Sequence, residues 1–191
     1  MPNQIHNAAN YSFTEKDRIC FDTNIWFYLL PSPAQKRDTC ADAYTKTIHC
    51  IIRSNATIIV DISILSEYLN RYARMEWDAY EKDTATQEHF RRFKDFRNSD
   101  YFKPIAEGAA RSASKIIARC KQMIIQPAVG DKFEIEHILE DYGAAKCDFA
   151  DAVLAETCRI HQYKIFTNDD DFGRIDYGIE VITHNSNLLT P

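Results

Sequence analysis

Glycine is scarce in this 191-residue sequence: there are five, and none falls in a G-x-G-x-x-G or P-loop arrangement. That nearly excludes nucleotide binding through a Gly-rich phosphate loop, which needs glycine where backbone N–H groups approach phosphate closely. A G-x-S-x-G nucleophile elbow is also absent. The six cysteines, at 20, 40, 50, 120, 147 and 158, include no C-x-x-C pair and no Cys/His spacing of a zinc site. They read as reduced, largely buried thiols of an intracellular protein. No apolar run approaches the roughly 20 residues of a membrane span, and Met1 to Asp17 carry no apolar signal core. A soluble, cytoplasmic protein without membrane association is expected. Positive charge is short as well: 23 Lys+Arg against 28 Asp+Glu leave a net charge of −5. A nucleic-acid partner held by a general positive field is therefore disfavoured, and a local basic patch or bridging metal would be needed.

What is present suffices for one sizeable core, with 45% hydrophobic and 12% aromatic residues. Residues 1–17 are expected to form a flexible N-terminal arm and 18–191 one domain. Ile19-Cys20-Phe21 is a short apolar run cut off at Asp22-Thr23-Asn24, which suggests a buried strand. A Gly- and Pro-free stretch from Ala34 to about Arg53 has Ala41, Tyr44, Ile48 and Ile51 at helical spacing. Thr57 to Val60 is a continuous β-branched run ending at Asp61, and a helix with Leu65, Leu69 and Tyr72 on one stripe follows. Residues 79–126 read as a helical insertion or elongation, with a break around Ser99 to Pro104 and a second helix from Ala106 to Met123. A further helix opens near Asp148 and runs to His161; Lys164 to Thr167 and Glu180 to Thr183 are the last strands. Strands alternating with helices predict a three-layer α/β/α fold around a parallel sheet of four to five strands, with an extra helical hairpin.

That architecture makes the acids informative, because ligands of open α/β sheets bind beyond the carboxyl ends of the strands. Asp22 follows the first strand, Asp61 the second with Glu67 one to two turns on, and Asp169 to Asp171 the third. The helix carrying Asp148 and Asp151 begins at the same edge. Crowded carboxylates repel unless they protonate or bind a cation, and Mg²⁺ or Mn²⁺ is the natural occupant of an all-oxygen set. Each acid also has a plain structural alternative. Asp61 suits a helix N-cap, Asp148 and Asp151 suit the positive end of a helix, 169–171 suits a solvated turn, and Glu67 suits an exposed helical position.

The residues that follow resemble a family. Ile-Cys-Phe-Asp22-Thr23-Asn24, Ser66-Glu67-Tyr-Leu-Asn-Arg71, Asp151-Ala-Val-Leu-Ala155 and Thr167-Asn168-Asp169-Asp-Asp171-Phe172 look like the four successive motifs of PIN domains, including the VapC-type toxin ribonucleases. The resemblance implies a metal-dependent nuclease in which Asp22, Glu67, Asp151 and Asp169 are the catalytic metal-holding acids. Thr23 and Asn24 would orient ligands, and Asn168 would support Asp169. Asp148 lies three residues before Asp151 on nearly the same helical face, so either could be the principal ligand, with Asp151 favoured by the motif register. Asp171 would be an outer acid or part of the turn. Residues 79–126 exceed a minimal PIN domain.

The densest basic-aromatic stretch, His89 through Arg97, is the candidate RNA-binding ridge, with Arg91, Arg92, Lys94 and Arg97 tracking phosphates and aromatics stacking on bases. Its bland alternative is an amphipathic helix that buries Phe90 and Phe93 under a solvated cationic face. The expected partners are single-stranded RNA, an antitoxin protein whose segment occupies the acidic groove, and a second copy of the chain. A catalytically silent PIN-like RNA- or protein-binding module is the main alternative function. A phosphatase-like Mg²⁺-dependent hydrolase fits less well, because Asp22-Thr23-Asn24 lacks the second acid of a D-x-D motif.

Overall fold

The computed structural model describes residues 1–36, 38–83, 89–124 and 133–190. Among the described residues six strands form one sheet: β1 (Gln4–Asn7), β2 (Arg18–Phe21), β3 (Thr57–Asp61), β4 (Gln122–Ile124), β5 (Lys164–Phe166) and β6 (Glu180–Thr183). The spatial order is β1-β6-β5-β2-β3-β4, and every pairing is parallel. The chain thus steps one way from β2 to β3 to β4, then returns to β5 and β6 on the other side of β2. Right-handed crossovers in opposite directions place their helices on opposite faces. The side chains agree: Phe21 and Phe166 pack toward Tyr44 of helix α2 (Ala41–Arg53), whereas Cys20 lies against Cys158 of helix α7 (Phe149–His161). Phe21, Trp26, Tyr44, Tyr68, Phe166 and Phe172 are fully buried under the carboxyl edge. Each such side chain contributes on the order of 1.5–3 kcal/mol by leaving water, enough to hold that edge together against repulsion among the acids it carries.

The sheet has more strands than the four to five expected, and the two that the sequence did not place, β1 and β4, are its edges. The flexible arm expected over 1–17 is instead partly sheet: Ile5 pairs with Val181, and Asn3 binds the carbonyls of Phe172 and Ile175 through Nδ2. The polar Gln-Ile-His-Asn gives no strand pattern because an edge strand is held by main-chain pairing, not by side-chain burial. Asp17 and Glu180 hold Lys164 Nζ at 2.9 and 3.0 Å, tying the following loop to the sheet's amino edge. Likewise Met123, expected to close a helix, lies in β4, opposite Val60.

Helix α3 (Ile62–Lys82) is capped as a plain reading of Asp61 expects, its carboxylate accepting from Ser63 N at 2.7 Å and from Ser63 Oγ. Asp61→Ala is expected to cost about 1 kcal/mol of stability, measured by urea denaturation, through loss of that cap. The buried stripe of α3 is Ile64, Leu65, Tyr68 and Tyr72, whereas Leu69 is 37% exposed, so the expected Leu65/Leu69/Tyr72 stripe is rotated. After α4 (Phe93–Arg97) comes α5 (Phe102–Arg119), whose Pro104 sits in the first turn, where a missing N–H costs nothing. The second helix therefore starts earlier and ends sooner than the 106–123 expected. Helices α3 and α5 run antiparallel, with Tyr68 against Ser112 and Tyr72 against Gly108. Helix α5 ends at the sheet's amino edge, where Lys121 N donates to Ile58 O, while α3 starts at the carboxyl edge. At about 1.5 Å per residue, α3's 21 residues exceed the strands' length, and α4 lies in the connection at the far end of the α3/α5 hairpin. The remaining helices are α1 (Thr23–Leu29), α6 (Ile135–Gly143) and α8 (Ser186–Leu189). No helix among the described residues is long and apolar enough to cross a membrane.

Candidate metal centre at the sheet switch point

The chain reverses direction between β2 and β5, and a crevice opens beyond the carboxyl ends of such a pair. Asp22 ends β2 there, its N–H bonded to Phe166 O of β5. Asp22 is buried, and its Oδ2 accepts from Asn24 Nδ2 and from Thr167 Oγ1, both at 2.6 Å. Thr23, also buried, donates from Oγ1 to Glu67 Oε2 at 2.8 Å, so an exposed glutamate on α3 is drawn toward the end of β2. Thr23 and Asn24 thus orient two acids from one turn of α1.

Across the crevice, Asp148 caps α7 by accepting from Asp151 N at 3.0 Å. This cap is what the helix-end alternative expected of Asp148, and it leaves Asp151 turned into the cluster. Asp169 caps the 3₁₀ turn Asp170–Gly173 by accepting from Asp171 N at 3.0 Å. Within that run the turn sorts the three acids. Asp170 is taken by Asn185 and Asn187, while Asp169 and Asp171 face Asp151. Asp151, Asp169 and Asp171 each offer a carboxylate oxygen within 4.8 Å of the others.

The electrostatics carry the mark of uncompensated negative charge. Burial, reinforced by Glu67 and Asp169 and opposed by Thr167's hydrogen bond, pushes Asp22 up to about 6. Burial together with Asp22, Asp148, Asp169 and Asp171 pushes Asp151 up to about 9. Asp171 is also raised, by burial and Asp169, despite Arg174 Nη1 at 3.1 Å from its Oδ1. Among the described residues that is the one ion pair made to these acids. An all-oxygen, acid-rich crevice with so little cationic compensation fits a hard divalent cation.

Asn168 does something other than expected. Its side chain donates to Tyr28 Oη and accepts from Tyr44 Oη, each at 2.7 Å, and its N–H donates to Asn24 Oδ1 at 3.2 Å. It therefore pins the loop after β5 to α1 and α2 and does not bond Asp169. The support for Asp169 comes from Thr167, whose Oγ1 accepts from Asp169 N at 2.9 Å while donating to Asp22. In the sequence Thr167 belonged to the fourth motif without a role of its own, because it and Asp22 are 145 positions apart in the chain. Arg91, Arg92, Lys94 and Arg97 lie exposed at the hairpin tip, away from the acids, and Arg92 is engaged by Asp95 at 3.1 Å. Beneath them Phe96 is fully buried and contacts Phe90, Phe102 and Tyr80, with ring centroids 4.9–5.9 Å apart. The aromatics of this stretch pack on one another, but the buried one is Phe96, whereas Phe90 and Phe93, which the amphipathic reading expected to be buried, are half-buried and Phe90 precedes the helix.

A parallel α/β sheet with oxygen-rich acids gathered at its switch point defines the class: an α/β protein with an acid-centred crevice. Residues 19–178 match the PIN domain family model. The chain belongs to the PIN-domain family. Its fold is similar to a chain in the crystal structure of VapBC2 from Rickettsia felis bound to a DNA fragment from their promoter, with a TM-score of 0.53 and 14% identity, covering 86% of this chain and 98% of that one. No curated protein matches the sequence.

Proposed function

We propose that the protein is a Mg²⁺- or Mn²⁺-dependent endoribonuclease that hydrolyses phosphodiester bonds of single-stranded RNA at this crevice. The observation that carries the reading is the convergence of Asp22, Asp151, Asp169 and Asp171, with two of the four pushed far above the usual carboxylate range. Asp22, Glu67, Asp151 and Asp169 would hold the metal, with Asp148 and Asp171 at its margin. A bound divalent ion supplies an acidified water and stabilises charge developing on a phosphoryl oxygen. The chain's own contribution is orientation. Thr167 and Asn24 fix Oδ2 of Asp22, and Thr23 fixes Glu67, so the donors are set before substrate arrives. Thr167→Val keeps the shape but removes this anchor, and it is expected to weaken Mn²⁺ binding about 10–100-fold by isothermal titration calorimetry. Unchanged affinity would remove Thr167 from the centre.

The helical hairpin suits an RNA-guiding arm, because Arg91, Arg92, Lys94 and Arg97 lie exposed on it. Replacing Arg91 and Arg92 together by Ala is expected to flatten the salt dependence of RNA affinity. The log–log slope should fall by roughly 1.4, at about 0.7 for each single-strand phosphate that an arginine no longer neutralises. A slope equal to wild type would place the RNA elsewhere. A cytoplasmic toxin role, with an antitoxin segment entering the acidic groove and a homodimer as the working unit, follows the VapC-type resemblance and suits the likeness to VapBC2. The deciding test is cleavage of a labelled single-stranded RNA pool with Mn²⁺, Mg²⁺ or chelator, beside Asp22→Asn. Metal-dependent cutting lost in the variant is expected. No cutting with either metal would favour a silent RNA- or protein-binding module.

A further inference from the structure

Helices α1 and α3 run side by side, in the same sense, away from the acidic crevice. At its mouth Thr23 Oγ1 meets Glu67 Oε2 at 2.8 Å, and one turn further along both helices the Arg71 guanidinium lies over the Phe27 ring, its Cζ 5.3 Å from the centroid. The buried Tyr68 stacks on the same ring at 4.5 Å, whereas Arg71 is exposed. Arg74, also exposed, lies over Phe93 of α4 at 4.9 Å. Glu67, Arg71, Arg74 and Asp78 follow one another at i, i+4, i+7 and i+11, so they form one exposed stripe of α3. Along the axis Arg71 stands about 6 Å and Arg74 about 10.5 Å from Glu67.

Both arginines forgo the partners that this stripe offers. A glutamate four residues before an arginine is the favoured order for a helical ion pair. Glu67 nevertheless bonds Thr23, and among the described residues Arg71 and Arg74 pair with no carboxylate, Asp78 included. In a chain with 28 acids against 23 basic residues, carboxylates are not what is lacking. A guanidinium seated over a ring is held in place while its N–H donors stay free, which suits bidentate binding of a phosphate.

We propose that Arg71 and Arg74 bind the two backbone phosphates next to the scissile one, outward along α3, an inference that rests on the RNA-cleaving reading of the crevice. In that reading Glu67 stands at the scissile phosphate. Steps of about 6 Å and then about 4.5 Å along the helix let two long side chains meet successive phosphates of an extended strand. Asp78 closes the row at two cations, and the contact of Arg74 with Phe93 joins it to Lys94 on α4. Helix α3 thus sets the path of the strand on one side of the cut.

The test measures binding of a labelled uridine dodecamer to the full chain in chelator, by fluorescence anisotropy over a salt series. Arg71→Met and Arg74→Met keep an apolar stem on each ring and remove the charge. Each is expected to lower the log–log slope by about 0.7, the share of one single-strand phosphate, and Arg71→Lys and Arg74→Lys are expected to restore it. Arg53→Met, exposed on α2 and off this seam, is expected to leave the slope unchanged. With Mn²⁺ and a strand cut at one mapped bond, an uncharged methylphosphonate at the first or second phosphate beside that bond should raise KM for wild type, add nothing to the matching Met variant, and leave kcat unchanged. Equal slopes in wild type and both Met variants would overturn the path and leave the RNA-binding reading standing. An equal fall with Arg53→Met would show a diffuse field in place of a path and overturn it too. Losses that lysine fails to recover would assign both arginines to packing on Phe27 and Phe93, and methylphosphonate penalties that add in full to the Met variants would place those phosphates elsewhere; either result overturns the path. Failure of wild type to bind or cut any strand would overturn both the path and the reading beneath it.

Discussion

Asp151→Asn is expected to abolish metal-dependent RNA cleavage, by about 10³-fold or more, and at the same time to raise the melting temperature of the metal-free protein. The two effects share one cause. Asp151 lies in a crevice where burial disfavours its ionisation, and Asp22, Asp148, Asp169 and Asp171 all disfavour it further. In the metal-free protein its charge is a liability, and an amide of the same shape relieves it. In the metal-bound protein that same charge is the attraction. Several degrees of stabilisation at pH 9 are expected, at roughly 2–4 °C per kcal/mol for a chain of this size. Differential scanning calorimetry in chelator and a single-turnover cleavage assay measure the two halves. A variant that melts lower than wild type in chelator would mean that Asp151 serves the fold and not the site. One that cuts RNA normally would remove it from the chemistry.

The second large effect is a pH dependence of unusual sign. Between its ordinary 3.8 and about 9, folded Asp151 keeps a proton that the unfolded chain has released. Asp22 does the same between 3.8 and about 6. The folded state therefore binds more protons across this window, and stability falls as pH rises. Burial holds His184 below its ordinary value, which works the other way up to about its ordinary 6.5. The comparison is therefore cleanest between pH 7 and 9, where the difference between wild type and Asp151→Asn isolates the single carboxylate. In chelator, wild type should lose melting temperature over this range faster than the variant. With Mn²⁺ the trend should reverse, because the ion displaces the proton and its stabilisation grows as protons become easier to remove. Parallel pH profiles for the two proteins would show that Asp151 is already ionised without metal.

Much of this protein is written in short stretches of chain. Ile19 to Phe21 and Thr57 to Val60 declare buried parallel strands because both faces of such strands are covered, so the apolar run is continuous. Asp22 stands out because it ends such a run, and the four motifs follow one another in family order. The helices at 41–53 and 149–161 announce themselves by spacing and by the Asp148 cap. What sequence by itself determined was therefore the α/β class, the parallel core strands, and the acids that share one edge. Tertiary structure decided the rest, for reasons that are not local. Whether Gln4–Asn7 is an arm or a strand depends on an open edge of β6 more than 170 residues away. Whether Met123 ends a helix or joins a sheet depends on the free edge of β3. Which of Asp169, Asp170 and Asp171 enters the crevice was fixed by one 3₁₀ turn and by two asparagines near α8. Thr167 acquired its role only when β2 and β5 came side by side and one hydroxyl could hold Asp22 while receiving the N–H of Asp169. A residue type makes each such contact possible, but pairing across a sheet chooses among the possibilities, because hydrogen bonds and repulsion between carboxylates depend on distances that chain order does not contain.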